Sequence, residues 1–575
     1  MKNALLKLSL IAMLFTTSPV TAQFDFNINN FAKTENGALK AWIMLKDKGD
    51  QIALLAKPEA LLSPRAIQRR QLRCPHKPLV DLSDLPVSHR YLNQIKSRVL
   101  HVRIVSKWLN AVSVEATAQQ LRTIQSWPFV KRIDPIAQGR PLPPPQMHPL
   151  NYLPKANVSG DSLPYGPSLK QVALINVPYM HMQGYYGTGV RILMLDDGVN
   201  LLYKHEALKK VKIIATHDFI HGDNAIDDSG IKAYEGWHGT MTLSTIAGYT
   251  PETLIGPAFD AGFILAKTEV DQFERPIEED YWVAGLEWGD SLGADIVSSS
   301  LGYIDWYTPA DMNGETAKTT IAADMAVEKG ILVFNSAGNE GDNPDHNTLI
   351  APADGKKVLA VAAVDHNGAR ASFSSVGPSA DGRTKPDIAA MGVSVIVANS
   401  RDSSGFSYAS GTSFSCPLAA GGAALLLEAF PSASPELMTK ALKRTASQAD
   451  SPDNLLGWGI IDLKKAYAYL DTAIVRKDTL AGYFKVFPSA PNPAGAYTEF
   501  SYRLKYPSAV EIQIYNALGQ KIISLGRHIR PADSKIYERL VTKNLASGVY
   551  FAHIAVRALA TGRTLRKTLR FTVLH

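Results

Sequence analysis

Gly411-Thr412-Ser413-Phe414-Ser415-Cys416-Pro417, followed by the apolar run Leu418-Ala419-Ala420-Gly421-Gly422-Ala423-Ala424-Leu425-Leu426-Leu427, is the stretch around which the 575-residue chain is organised. The run reads as a buried helix, too short and too glycine-rich to span a membrane. Ser413 then stands at the helix N-terminus, with Gly411 permitting a tight turn just before it. Unpaired N–H groups and the positive end of the helix dipole favour negative charge at that point. A serine so placed can act as a nucleophile whose own N–H helps to hold an oxyanion. Taken alone, it reads more readily as an N-cap serine ahead of an early-helix proline.

Around this stretch, residues 161–472 alternate short apolar runs with helical ones. Residues 191–195, 263–266, 296–300, 331–334 and 358–362 read as buried strands, and residues 279–292 and 316–329 as helices. Near-continuous apolar strands alternating with helices predict an α/β fold with a doubly wound, mostly parallel sheet. Sites in such sheets gather outside the carboxyl ends of the strands.

Three further stretches carry chemistry at such positions. Leu195-Asp196-Asp197-Gly198 ends a predicted strand, where a carboxylate is well placed to orient a histidine; by itself it also reads as an Asp-Gly turn. His238-Gly239-Thr240 opens a helix-like run, with Gly239 permitting close backbone approach, and an imidazole there can shuttle a proton. No second ligand stands three or four residues on, so a metal role is not indicated. His205 and His221 read as surface histidines. Ser336-Ala337-Gly338-Asn339 follows a buried strand; its small residues admit a substrate backbone, and Asn339 offers an amide donor for an oxyanion.

Acid, imidazole, amide and hydroxyl occur in the order Asp196, His238, Asn339, Ser413. With Ser298-Ser299-Ser300-Leu301-Gly302, Phe373-Ser374-Ser375-Val376-Gly377, Lys385-Pro386-Asp387 and Gly457-Trp458-Gly459 between and after them, these motifs resemble the subtilases, the subtilisin-like serine peptidases. The resemblance covers roughly 300 residues. It implies Ser413 as nucleophile, His238 as general base and acid, Asp196 as orienting carboxylate, and Asn339 with the Ser413 N–H as oxyanion hole. It also implies that Ser300, Leu301 and Gly302, with Ser336, Ala337 and Gly338, flank a bound peptide and its primary pocket. Two residues depart from the usual pattern. Asp197 replaces a Ser or Thr, and Ile350 stands where many relatives have a smaller residue, which predicts a shallow pocket for small or medium apolar side chains. The expected activity is that of a secreted serine endopeptidase acting on polypeptides. The rivals are a catalytically silent subtilase-fold surface binding protein and a ligase or esterase using the same acyl-enzyme.

The flanks fit a proenzyme. Residues 1–22 carry Lys2 and Lys7, an apolar segment and Val20-Thr21-Ala22, and read as a secretory signal peptide. Residues 23–137 show a β-α-α-β-β-α-β pattern, a small α+β unit resembling a subtilase propeptide, which implies an intramolecular inhibitor and chaperone. Residues 138–160 are a proline-rich linker suited to nicking. Residues 480–575 read as a small antiparallel β-sandwich. Pro491-Asn492-Pro493 and Leu545-Ala546-Ser547-Gly548-Val549-Tyr550 resemble the sorting domain of the type IX secretion system, which implies passage through the periplasm to the exterior or cell surface.

The formal charge is +7. Much of the excess clusters at Arg65, Arg69, Arg70, Arg73, Lys77, Arg90, Lys96, Arg98, Arg103 and Lys107, without the aromatic interleaving of a nucleic-acid groove. A solvated or partner-facing surface is expected, and no nucleic-acid partner. Cys74 and Cys416, in different predicted domains, suggest neither a disulfide framework nor a zinc site, and Cys416 reads as a small buried thiol. No metal residues are assigned. Structural calcium is compatible with the resemblance, but the acidic loops 223–228 and 342–345 lack the spacing of a site.

Overall fold

The computed structural model describes residues 29, 31–34, 36–136, 148–149, 163–229, 236–270, 277–343, 345, 348–475, 484–532, 535–559 and 564–575. The expected signal peptide, and the expected linker apart from two residues, lie outside them.

The first unit comprises β1 (Leu39–Leu45), α1 (Pro64–Arg73), α2 (His89–Lys96), β2 (His101–Ser106), β3 (Ala111–Ala116), α3 (Ala118–Gln125) and β4 (Val130–Pro135), in the order the sequence predicts. Its antiparallel sheet runs β2-β3-β1-β4. Local chemistry sets the helix starts. Ser63 accepts the Ala66 N–H ahead of Pro64, and Thr117 and Gln120 form a reciprocal capping box. Within the linker, β5 (His148–Pro149) pairs with β16, introduced below.

In the central unit, short helices α4 (Leu169–Ala173) and α5 (Val177–Met182) precede β6 (Arg191–Asp196) and β7 (Lys212–Asp218). Next come α6 (Trp237–Ala247), the hairpin pair β8 (Tyr249–Thr250) and β9 (Leu254–Ile255), β10 (Gly262–Lys267), α7 (Ile277–Ser291), β11 (Ile296–Ser299), α8 (Lys318–Glu328) and β12 (Leu332–Ser336). The unit closes with β13 (Leu359–Val364), β14 (Ile388–Met391), β15 (Val395–Ala398), β16 (Phe406–Ala409), α9 (Thr412–Ala429), α10 (Pro435–Arg444) and α11 (Leu463–Leu470).

Seven strands form one parallel sheet, ordered β14-β13-β12-β11-β6-β10-β7. The alternation of side chains along β6 explains its unbroken apolar run. Ile192 and Met194 join the core beneath α6 and α9, whereas Leu193 and Leu195 join the core beneath α7 and α8. From β6 the chain passes to the edge strand β7, returns to β10 between them, then crosses to β11 and winds outward the other way. The carboxyl ends of β6 and β11 therefore flank the topological switch point, where such sheets place their sites. Edge strand β7 is not legible from the sequence, because its side chains are exposed or half-buried up to the last, Asp218, and form no apolar run.

The last unit is a two-sheet sandwich, with orders β17-β18-β21 and β20-β19-β22-β23. These strands are β17 (Phe484–Ala490), β18 (Tyr497–Leu504), β19 (Ser508–Asn516), β20 (Lys521–Arg530), β21 (Lys535–Val541), β22 (Gly548–Ala558) and β23 (Thr564–Val573). Phe500, Ile512, Ile514 and Phe571 fill its core. Among the described residues no helix is long and apolar enough to cross a membrane.

Candidate active site

Asp196 is the last residue of β6 and is buried. Its Oδ1 lies 2.7 Å from His238 Nδ1 and accepts the Asp197 N–H at 3.0 Å, while its Oδ2 accepts the Thr242 hydroxyl at 2.8 Å. Burial alone would raise the Asp196 pKa; the His238 imidazole and these hydrogen bonds outweigh it and hold the carboxyl below the ordinary range. The same contact acts on His238. Burial disfavours the imidazolium, but the Asp196 carboxylate outweighs it and raises the ring's proton affinity above that of a free histidine.

Asp197 explains its own departure from the usual pattern. Its two carboxylate oxygens accept the N–H groups of His238, at 3.0 Å, and Gly239, at 2.6 Å, in the first turn of α6. Those amides have no partner within the helix, and a carboxylate at a helix N-terminus is doubly favoured. Asp197 thus fixes the turn that carries His238, while its neighbour fixes the ring. Gly239 has to be glycine at this contact, since an added Cβ would stand 2.0 Å from the Gly198 carbonyl oxygen.

Ser413 is the second residue of α9, which begins six residues before the apolar run. Its hydroxyl donates to the Ser300 carbonyl at 3.3 Å. In return, the Ser300 hydroxyl donates to the Ser413 carbonyl at 2.8 Å. In a regular helix the Ser413 carbonyl would accept the N–H four residues on, but that residue is Pro417, which has none. Proline therefore frees the carbonyl, and Ser300 takes it up, tying the helix start to the end of β11.

Asn339 lies on the exposed loop after β12. Its Oδ1 accepts both the N–H and the hydroxyl of Thr412, each at 3.0 Å. With the oxygen so engaged, the donor end is the Nδ2 group, which lies 3.7 Å from where a Gly411 Cβ would stand. Beside it, the Ser413 N–H is one of the first four of α9, none of which has an intrahelical partner. The ends of β11 and β12 are tied here, Asn335 Nδ2 donating to the Leu301 carbonyl at 2.9 Å, while Gly338 N–H donates to Thr412 Oγ1 at 3.3 Å and ties the loop to the start of α9. Ile350 fills the space between them. A Cβ at Gly302 would lie 2.1 Å from Ile350 Cδ1, and one at Gly338 2.9 Å from Ile350 Cγ2.

Cys416 is buried, and burial pushes its thiol up to about 12, the expected inert state. His205 corrects the expectation of a surface histidine. It is fully buried, its Nε2 bonded to the Gly405 carbonyl at 2.8 Å and its ring edge-on to Phe406. His221 is half-exposed and bonds Asp218 at 2.8 Å. In the 223–228 loop, Asp228 already pairs with the buried Lys267. Among the described residues, the acidic and imidazole groups close enough to share an ion are Asp196, Asp197 and His238, whose oxygens and Nδ1 are committed to the bonds above.

Comparison with known proteins accords with this geometry. The profile described as the subtilase family matches residues 187–459, that of the Bacteroidota peptidase S8 propeptide domain residues 40–147, and that of a secretion system C-terminal sorting domain residues 487–565. The chain therefore carries a propeptide ahead of its peptidase domain and a tail that marks it for type IX secretion to the exterior or cell surface. It is 30% identical to subtilisin DY of Bacillus licheniformis over 306 residues, 53% of this chain and 98% of that protein. It is also 30% identical to subtilisin NAT of Bacillus subtilis subsp. natto over 319 residues, 54% of this chain and 73% of the relative. A thermostable alkaline protease of Halalkalibacterium halodurans is 27% identical over 356 residues, 62% of this chain and 82% of that one. Sharing nearly the whole of a subtilisin at this identity, the chain belongs to the subtilase family, the subtilisin-like serine peptidases.

Proposed function

We propose that the protein is a secreted serine endopeptidase that cleaves polypeptides through an acyl-enzyme on Ser413. The observation that carries this reading is the 2.7 Å bond between buried Asp196 and His238 Nδ1, which leaves Nε2 as the ring's free base. His238 takes the Ser413 proton through Nε2 as Oγ attacks the scissile carbonyl. The oxyanion that forms is held by the Asn339 amide and the Ser413 N–H, donors fixed before the reaction begins. His238 then returns the proton to the leaving amine, and water repeats the sequence to release the acyl group.

Residues 300–302 and 336–338 would line the bound peptide, with Ile350 as the floor of the primary pocket. That floor favours small or medium apolar side chains. We assign residues 23–137 to the propeptide, 138–160 to the linker cut on maturation, 161–472 to the peptidase domain and 480–575 to the sorting domain. The silent-scaffold alternative has no support from the site, where acid, imidazole, amide and hydroxyl are all present. Labelling by a fluorophosphonate separates the two readings. The active protein is labelled at Ser413, and Ser413→Ala loses both label and peptide hydrolysis while remaining folded. Hydrolysis unchanged in that variant refutes the assignment. Subtilisin itself loses on the order of 10⁶-fold in turnover without its serine.

A further inference from the structure

The basic cluster in the first unit is spent largely on the peptidase domain. Between β1 and α2 the chain makes an excursion, residues 46–88, whose helix α1 presents arginines at 65, 69, 70 and 73. Arg69 and Arg70 share the buried carboxylate of Asp290, and Arg69 also donates to the Ala294 carbonyl at 2.6 Å. Arg65 and Arg73 share the buried carboxylate of Asp295, at 2.7 and 3.0 Å. The turns that receive them are shaped for α1. Gly293 and Gly330 have φ of +79° and +89°, and a Cβ on either would meet Arg65 Cγ at 2.5 Å or Cys74 Sγ at 3.2 Å.

This socket lies at the amino ends of the strands. Asp295 Oδ2 accepts the N–H of Arg191, the first residue of β6, whereas the catalytic candidate Asp196 is the last. Five steps of strand, roughly 17 Å, separate the two. The propeptide sheet makes a second, separate contact along α7, where Asp280 pairs with Arg103 and Glu287 accepts the N–H groups of Lys107 and Trp108.

We propose that α1 is an anchor that holds the propeptide to the peptidase domain independently of the substrate cleft, so that cutting the linker does not by itself free the enzyme. Withdrawing α1 breaks the ion pairs of Arg69 and Arg70 with Asp290 and of Arg65 and Arg73 with Asp295 together, a set of charge-assisted hydrogen bonds of fixed geometry whose joint rupture slows departure. Activation is then timed by departure of the arginine helix, after the covalent cut. The inference rests on the reading of residues 23–137 as an inhibitory propeptide.

The test follows the full chain through maturation, scoring linker cleavage on gels and peptide hydrolysis in the same samples. In the unmodified protein the two pieces co-elute after the cut, and activity lags behind cleavage. The R69A/R70A variant should separate its pieces and shorten the lag at least ten-fold, with kcat/KM of the matured enzyme unchanged. Arg65→Ala, at the half-exposed rim of the socket, should shorten the lag by a smaller factor and decides the matter if the double variant does not fold. Normal cleavage with an unaltered lag in these variants overturns the anchor. Full activity of the unmodified protein at the moment of cleavage overturns instead the inhibitory reading of the propeptide.

Discussion

Replacing Ile350 by alanine tests the specificity reading most directly. The isoleucine side chain stands between Gly302 and Gly338, with its atoms 2.1 and 2.9 Å from the Cβ positions those residues lack. Ile350→Ala removes three carbon atoms from the space where a P1 side chain would enter. At ~0.8 kcal/mol for each carbon group that the substrate can then bury, the variant gains ~2.4 kcal/mol for a large apolar P1 residue, or about 60-fold. The assay is kcat/KM on peptide p-nitroanilides differing only at P1, from Ala through Val and Leu to Phe. The unmodified enzyme should favour the smaller members, and the Phe/Ala ratio should rise by about the stated factor in the variant. The stability cost should be ~1–2 kcal/mol, because Ile350 is only half-buried. An unmodified enzyme that already cleaves after Phe as well as after Ala, or a variant whose ratio does not move, refutes the reasoning.

Asn339→Ala should lower kcat by about 10²–10³ with little change in KM, as removal of the oxyanion-hole amide does in subtilisin; steady-state kinetics check this. Asp196 raises the proton affinity of His238, and only the neutral ring can accept the serine proton, so the acidic limb of the kcat/KM profile should lie above the ordinary histidine range. Asp196→Asn removes the carboxylate and leaves burial opposed only by the weaker pull of Asp197, so residual activity should drop by orders of magnitude and its limb move to lower pH; a limb that stays in place contradicts the coupling. Ser300→Ala strands the Ser413 carbonyl and should cost ~1–3 kcal/mol in urea unfolding. The S300A/P417A double variant should regain part of that loss, since residue 417 then supplies the missing N–H.

The inner strands of the sheet were legible because they are apolar on both faces and end in chemically distinctive residues, whereas the edge strands β7, half-exposed, and β14, four residues long, were not. Asp196, His238, Asn339 and Ser413 each sit at a strand end or helix start, which is why a one-dimensional reading could gather them. What escaped was tertiary in origin. His205 stands in a polar stretch, and nothing local signals that Gly405 and Phe406, two hundred residues on, enclose it. Asp197 reads as half of a turn until its two oxygens meet the first amides of α6. The arginines of α1 read as a solvated or partner-facing surface, and which of the two was not legible because their partners, Asp290 and Asp295, lie more than two hundred residues away. On α7, Asp280, Glu287 and Asp290 are spaced to share a helix face, a pattern that marks an exposed surface as readily as a docking one.

Cys416 has a consequence for life outside the cell. It belongs to the same helix as Ser413, and its sulfur donates to the Ser299 carbonyl at 3.4 Å, with the thiol held protonated and enclosed. The other cysteine, Cys74, sits at the seam between propeptide and peptidase domain and departs with the propeptide. The matured enzyme then carries one sulfhydryl, sealed from oxidants and from other thiols. Its passage through oxidising compartments requires no cross-link to be formed or protected. The same enclosure keeps this thiol out of disulfide exchange with its surroundings.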